Sequence, residues 1–266
     1  MSRMLSLTNV EYQVTGGKAT ITINRPDRRN ALDETTYSEI QVALDEANGD
    51  PEVGVIVLTG AGEQAFASGA DLKTVNTLDL EDYRSYLLTN AATRLKIYGL
   101  DKPVIARVNG AALGGAMSLA LSCDMVVAVD SAKFGQTEIN VGLVGGIDHL
   151  WTLGRVLTAE LMMTGRIFTA AEALELRLVN RVVPREELDS TVQALVDSVL
   201  SKSPHSVSLT KRVLSFANQA NGFAASRSFQ AEMVLAAFNS DDRKEGMGAF
   251  LEKRQPVYRR KRSQGR

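Results

Sequence analysis

A chain of 266 residues with one cysteine, six prolines, two histidines and one tryptophan leaves little room for several kinds of chemistry. The single thiol, Cys123, cannot close an internal disulfide, and its place in the apolar run from Leu119 to Val129 reads as a buried, reduced side chain. No stretch approaches the roughly 18 apolar residues of a membrane span, and Met1 to Val10 lacks the basic start and apolar centre of a signal peptide, so a cytoplasmic location is expected. Charge of one sign is missing too. Thirty basic and thirty-one acidic residues leave a net charge of −1, which provides no field to gather nucleic acid or an anionic membrane.

What remains is an ordinary globular balance, 44% hydrophobic and 23% charged residues, long enough to bury a large core without cross-links. The pattern opens with two β-rich runs, Val10 to Val14 and Ala19 to Ile23, around Gly16 and Gly17, which predicts a hairpin. Asp33 stands before an amphipathic helix ending near Gly49. Three continuous apolar runs, Val53–Thr59, Pro103–Val108 and Met125–Val129, predict buried strands, so residues 10 to 140 read as α/β. No exact internal repeat is visible. Beyond Thr169 the strand signal fades and helices are expected to about Lys253. Boundaries are placed at 1–200 for the core, 201–258 for a C-terminal helical subdomain, and 259–266 for a frayed basic tail.

Two segments bear on chemistry. In Ala65–Val75, AFASGADLKTV, small residues and Gly69 follow a buried strand and loop, where a ligand can approach the backbone. In Val108–Ala120, VNGAALGGAMSLA, Gly114 and Gly115 open an Ala-rich helix whose first N–H groups have no helical acceptor and suit a negative oxygen. The spacing is neither GxGxxG nor a P-loop, which disfavours a nucleotide-phosphate cradle.

Together these segments resemble the paired oxyanion signatures of the enoyl-CoA hydratase/isomerase (crotonase) family. The resemblance runs on through NRPDRRNAL (Asn24–Leu32), FGQTEINVGL (Phe134–Leu143), MTGRIFTAAEALELRLVNRVV (Met163–Val183) and EGMGAFLEKRQPVY (Glu245–Tyr258). It implies a spiral of strand-strand-helix turns followed by a helical trimerisation region, assembled as a trimer or a dimer of trimers. It further implies an acyl-CoA thioester as substrate, with coenzyme A entering only as part of it, and no metal or redox cofactor. Carried over by position, the backbone N–H groups of Ala70 and Gly115 would hold the thioester oxygen. Ala67, Ser68, Asp71 and Leu72 would lie along the CoA path, with Arg29 near its phosphates, and Phe250 and Lys253 would reach CoA from the C-terminal helix, commonly across a subunit boundary.

The resemblance also shows two departures. Hydratases of the family typically present two glutamates; Glu138 matches the second, in FGQTE, whereas Ser118 stands at the first. One carboxylate suits hydration or double-bond migration with Glu138 as acid and base, and serine at the first position is also a feature of hydroxycinnamoyl-CoA hydratase-lyases. Hydrolysis of a CoA thioester and a catalytically silent acyl-CoA- or RNA-binding homologue are the remaining readings, the last disfavoured by Glu138 and by the near-neutral charge. The loop after Glu138, VGLVGGIDHLWTLGR, is shorter than the usual version; Asp148 and His149 in it are expected to be satisfied loop or helix-cap residues, and His205 a surface residue.

Overall fold

The computed structural model describes residue 5 and residues 7–146, 148–218 and 240–258. The expected tail, 259–266, and part of the expected C-terminal helical region, 219–239, lie outside the described residues. So does the side chain of Phe250.

The hairpin forms as its glycines predict. Strands β1 (Val10–Thr15) and β2 (Lys18–Ile23) pair antiparallel, and Gly16 and Gly17 turn between them at φ 58° and 81°. Such values suit a two-residue hairpin loop. Asp33 caps helix α1 (Glu34–Gly49), its carboxylate accepting from the Thr36 N–H at 2.8 Å.

From β2 onward the chain repeats one device. A long apolar strand enters a first sheet, turns a corner, continues as a short strand in a second sheet, and ends in a helix or helical turn. The long strands are β3 (Val55–Gly60), β5 (Val104–Val108) and β7 (Met125–Val129), each parallel to its neighbour. The short ones are β4 (Ala65–Ala67), β6 (Ala111–Leu113) and β8 (Lys133–Gly135), also parallel. Helices α2 (Leu72–Val75) and α3 (Leu80–Gly99) follow β4, and α4 (Gly115–Leu121) follows β6. A 3₁₀ turn at Glu138–Val141 follows β8, leading to α5 (Leu150–Thr164), which is kinked at Gly154. This repeat of structure has no counterpart in exact residue identity.

Corners of this kind leave backbone groups without ladder partners, and buried asparagines satisfy them. Asn109 accepts from the Gly60 N–H at 3.2 Å and donates to the Gly62 carbonyl at 2.8 Å, while Asn30 donates to the Ala61 and Ala65 carbonyls at 3.0 and 2.9 Å. Two sheets result, ordered β1-β2-β3-β5-β7-β10 and β4-β6-β8-β9. Strands β9 (Phe168–Thr169) and β10 (Arg181–Val183) complete them on either side of α6 (Ala170–Glu175). Strand β10 corrects the expectation of a wholly helical C-terminal third. Three residues at a sheet edge are too few to show a period, but they extend β7 in parallel register.

Helices α7 (Leu188–Leu200), α8 (Pro204–Asn218) and α9 (Asp241–Leu251) close the described chain. Lys211 of α8 is buried against the core, donating to the Asp124 carboxylate at 2.7 Å and to the Lys102 carbonyl at 2.9 Å. Asp124 in turn accepts from the Val104 N–H, so α8 is tied to the start of β5. Among the described residues no helix is long and apolar enough to cross a membrane.

Candidate active site

Because β4, β6 and β8 are parallel neighbours, their C-terminal ends stand side by side, about 4.8 Å per strand. The residues just beyond those ends are Gly69–Ala70, Gly114–Gly115 and Gln136–Glu138. Three turns of the spiral therefore each deliver one part of a single site, in keeping with ligand binding beyond the carboxyl ends of parallel strands.

Two backbone N–H groups are left out of the local hydrogen-bond ladders here. Leu32 pairs with the first loop, its N–H donating to the Gly69 carbonyl at 2.8 Å and its carbonyl accepting from Asp71 at 3.0 Å, so this bridge leaves the Ala70 N–H unused. Gly115 is the first residue of α4, where an N–H has no acceptor within its own helix. Both loops depend on glycine. Gly69 (φ 95°) is packed so that a Cβ would stand 2.8 Å from the Leu113 carbonyl oxygen and 3.9 Å from Gly114 Cα, which brings the two segments together. Gly114 (φ 55°) would bring a Cβ to 3.0 Å from Glu138 Oε1, and few side chains tolerate that φ.

Glu138 faces this meeting point. Gln136 Nε2 donates to its two carboxylate oxygens at 3.0 and 3.2 Å. Burial pushes the Glu138 carboxyl above its ordinary value, and the Gln136 hydrogen bond and the Arg94 charge offset only part of that rise. Beside it lies an aromatic wall, with Tyr37 edge-on to Tyr86 at 5.9 Å and Tyr83 stacked on Tyr86 at 6.0 Å. The Tyr83 phenol is raised by burial and by the Glu138 charge.

Ser118 lies one turn into α4, wholly buried, its hydroxyl without a hydrogen-bond partner among the described residues. Asp148 is paired with Arg94 of α3 at 2.5 Å and is satisfied as expected. His149 differs from expectation. It is buried, and neither ring nitrogen has a partner among the described residues; burial pushes its imidazole below the ordinary range, and Asp148 pulls it back in part. The chain here directs this ring inward, which proximity in sequence does not reveal. His205 is exposed. Cys123 is buried, its thiol raised by burial.

The residues expected along a CoA path gather on one loop, with Arg29 beside it: the Arg29 carbonyl accepts from the Ser68 N–H at 3.0 Å. Ala67 is buried, Ser68 half-buried, and Leu72 half-exposed at the start of α2. Asp71 is buried, its carboxylate taken by Arg25 at 3.0 Å and Arg28 at 2.9 Å. Burial alone would raise that carboxyl, and the two arginines bring it below its ordinary value. Asp71 thus fastens the loop to the preceding segment. Lys253 is exposed just after α9, which is joined to the start of α8 where the Ser203 hydroxyl donates to Asp242 at 2.8 Å.

Tyr37, Asn90, Arg94 and Gln136 were not singled out by the sequence. One signal was available for α3: Tyr86, Asn90, Thr93 and Ile97 are its buried residues, and the polar pair at helical spacing on that face marks a polar lining.

Taken together, adjacent loops bring two N–H groups unused by their own segments next to one half-buried carboxylate, an arrangement suited to stabilising an enolate. A family model described as "Enoyl-CoA hydratase/isomerase" matches residues 14–261. The chain belongs to the enoyl-CoA hydratase/isomerase family. It is 35% identical over 254 residues to a short-chain-enoyl-CoA hydratase from Clostridium acetobutylicum, covering 94% of this chain and 97% of the relative. It is 37% identical over 240 residues to a crotonyl-CoA hydratase from Syntrophomonas wolfei, covering 89% and 92%. The crystal structure of an enoyl-CoA hydratase from Bacillus anthracis superposes with a TM-score of 0.91 at 32% identity, covering 96% of this chain and all of that one.

Proposed function

We propose that this protein hydrates short-chain 2-enoyl-CoA thioesters. The Ala70 and Gly115 N–H groups hold the thioester oxygen, and Glu138 handles the proton at Cα. The observation that carries this reading is the placement of Glu138 against Gly114, beside the two loops that present the N–H groups. An enolate formed next to a half-buried carboxyl can be protonated without passing through solvent. Two preorganised donors stabilise its oxygen by roughly 3 kcal/mol each. The relatives named above are called hydratases of short-chain and crotonyl thioesters, which supports the substrate class. Ser118 in place of a second α4 carboxylate favours double-bond migration as the alternative.

Incubation with 2-enoyl-, 3-enoyl-, 3-hydroxyacyl- and feruloyl-type CoA thioesters, read by mass spectrometry, tests the proposal. Hydration adds one water, migration changes no mass, and cleavage or hydrolysis shortens the acyl group or frees CoA. Addition of water to a 2-enoyl thioester is expected; its absence from the whole panel overturns the reading.

The protein is proposed to work in the cytoplasm as a trimer or dimer of trimers, with residues 201–258 as a helical subdomain packed on neighbouring subunits. The resemblance of Glu245–Tyr258 to the C-terminal helix of the family supports this, because Lys253 and Phe250 would then complete a neighbour's CoA site. A fully active monomer in light scattering would refute it.

A further inference from the structure

Hydration of a carbon-carbon double bond moves two protons: water gives one up and Cα gains one. Glu138 is placed for Cα. Ser118, on the same helix face one turn beyond Gly115, is a neutral hydroxyl and accepts no proton efficiently near neutral pH.

The shortened loop brings another group to that place. Gly145 and Gly146 are both pressed onto polar side chains. A Cβ on Gly145 would stand 2.6 Å from Gln136 Nε2 and 2.8 Å from Glu138 Oε2. A Cβ on Gly146 would stand 2.5 Å from Ser118 Oγ, 2.7 Å from Arg94 Nη1 and 2.8 Å from Asp148 Oδ2. Glu138 therefore packs against Gly145, and Ser118, Arg94 and Asp148 all close around Gly146, the next residue, which brings Ser118 and Asp148 near each other. The hydroxyl of Ser118 is wholly buried and without a partner among the described residues, and the buried atoms Asn90 Oδ1 and Arg94 Nε nearby on α3 likewise have none there. Buried polar atoms left unpaired carry a cost, and a hydrogen-bonding ligand removes it.

Resting on the hydratase reading above, we propose that Asp148 is the second catalytic carboxylate: with Ser118 it holds the attacking water and takes its proton, and Arg94 is the positioning residue that fixes it. The water oxygen bonds to Cβ while the π pair of the double bond moves to Cα and the thioester oxygen. The water's proton passes to Asp148, and Cα takes a proton from the Glu138 carboxyl. The product is the 3-hydroxyacyl thioester, and the proton on Asp148 returns to Glu138 through solvent. The cycle starts with Glu138 protonated.

The test separates the two carboxylates by reaction. Exchange of the α-protons of a saturated acyl-CoA in D2O needs the enolate site and Glu138 but no water at Cβ. Asp148→Asn is expected to lower kcat for hydration of a 2-enoyl-CoA by about 100-fold or more, with KM little changed. α-Exchange should fall by at least tenfold less than hydration. Adding Ser118→Glu, which places a carboxylate beside Arg94 from α4, should recover hydration at least tenfold. If Asp148→Asn does not fold, the double variant decides alone: hydration within about tenfold of wild type supports the proposal, and a folded double variant without hydration overturns it. Hydration at the wild-type rate in Asp148→Asn, or parallel loss of hydration and exchange, reduces Asp148 to a structural ion pair and also overturns it. A wild-type enzyme that hydrates no enoyl-CoA defeats the hydratase reading instead, before any variant is made.

Discussion

The first sheet and the chamber beyond the second obey opposite rules. In β3 every residue is buried, and Ile56 and Leu58 stand in register with Val104 and Ala106 of β5, all four fully enclosed. Backbone groups there are paired in parallel register. By contrast, the chamber beside α3, α4 and Gly145–Gly146 gathers Asn90, Arg94, Ser118, Gln136 and His149, each with a buried polar atom that has no partner among the described residues. The sheet is built for stability. The chamber gives up stability for polar atoms that a substrate or water can satisfy.

Glu138 should show this contrast most strongly. Glu138→Gln keeps shape and removes the proton, so kcat should fall by about 100-fold or more while CoA-ester binding, measured by calorimetry, largely persists. Stability should move the other way. Burial raises the Glu138 carboxyl, so the stability its protonated form contributes is fully present below the ordinary carboxylate range. It is lost as pH rises through the raised value. Glutamine cannot ionise; the variant should match wild type in Tm at acid pH and exceed it near neutrality. A variant less stable at neutral pH would mean that the ionised carboxylate is itself a structural partner.

Gly115→Pro removes one N–H at a helix position that tolerates proline. Loss of about 100-fold in kcat is expected, on the magnitude of a deleted oxyanion donor. Its ring also approaches Tyr37, whose hydroxyl would stand 3.0 Å from a Cβ there, so a thermal melt must accompany the kinetics. Unchanged turnover in the folded variant would place the oxyanion contact elsewhere.

The sheet should answer differently. Leu58→Ala leaves a cavity among fully buried neighbours and should cost about 2–5 kcal/mol in denaturant unfolding. Turnover per folded molecule should stay close to wild type. Equal loss of turnover would show that the sheet transmits strain to the chamber.

How much of this the sequence discloses follows from the same contrast. Long apolar runs and the Asp33 cap are local signals, and they placed β3, β5, β7 and α1. The short strands β4, β6 and β8 have three residues each, too few for a period, yet they align the site. Their glycine-rich ends, Gly69, Gly114 and Gly115, were legible because close backbone approach restricts residue type. The tyrosines and Arg94 were not, since a polar side chain on a helix reads as a solvated face until packing shows it buried. Asp148 and His149 depended on a loop path that a one-residue change in length would redirect.

Ser118→Ala is the smallest perturbation and divides the chamber's chemistry most finely. As a buried hydroxyl without a partner among the described residues, Ser118 contributes little to the unliganded fold, so alanine should leave Tm unchanged or slightly raised. If its role is to orient water, kcat for hydration should fall only a few-fold to about tenfold, the worth of one neutral hydrogen bond near 1 kcal/mol. α-Proton exchange should hardly change. A loss as large as that of Glu138→Gln would assign Ser118 more than orientation. In that event, mass spectrometry of enzyme quenched during turnover would distinguish two cases: an acyl group on Ser118 means a nucleophile and thioester hydrolysis, whereas unmodified protein leaves an essential water anchor.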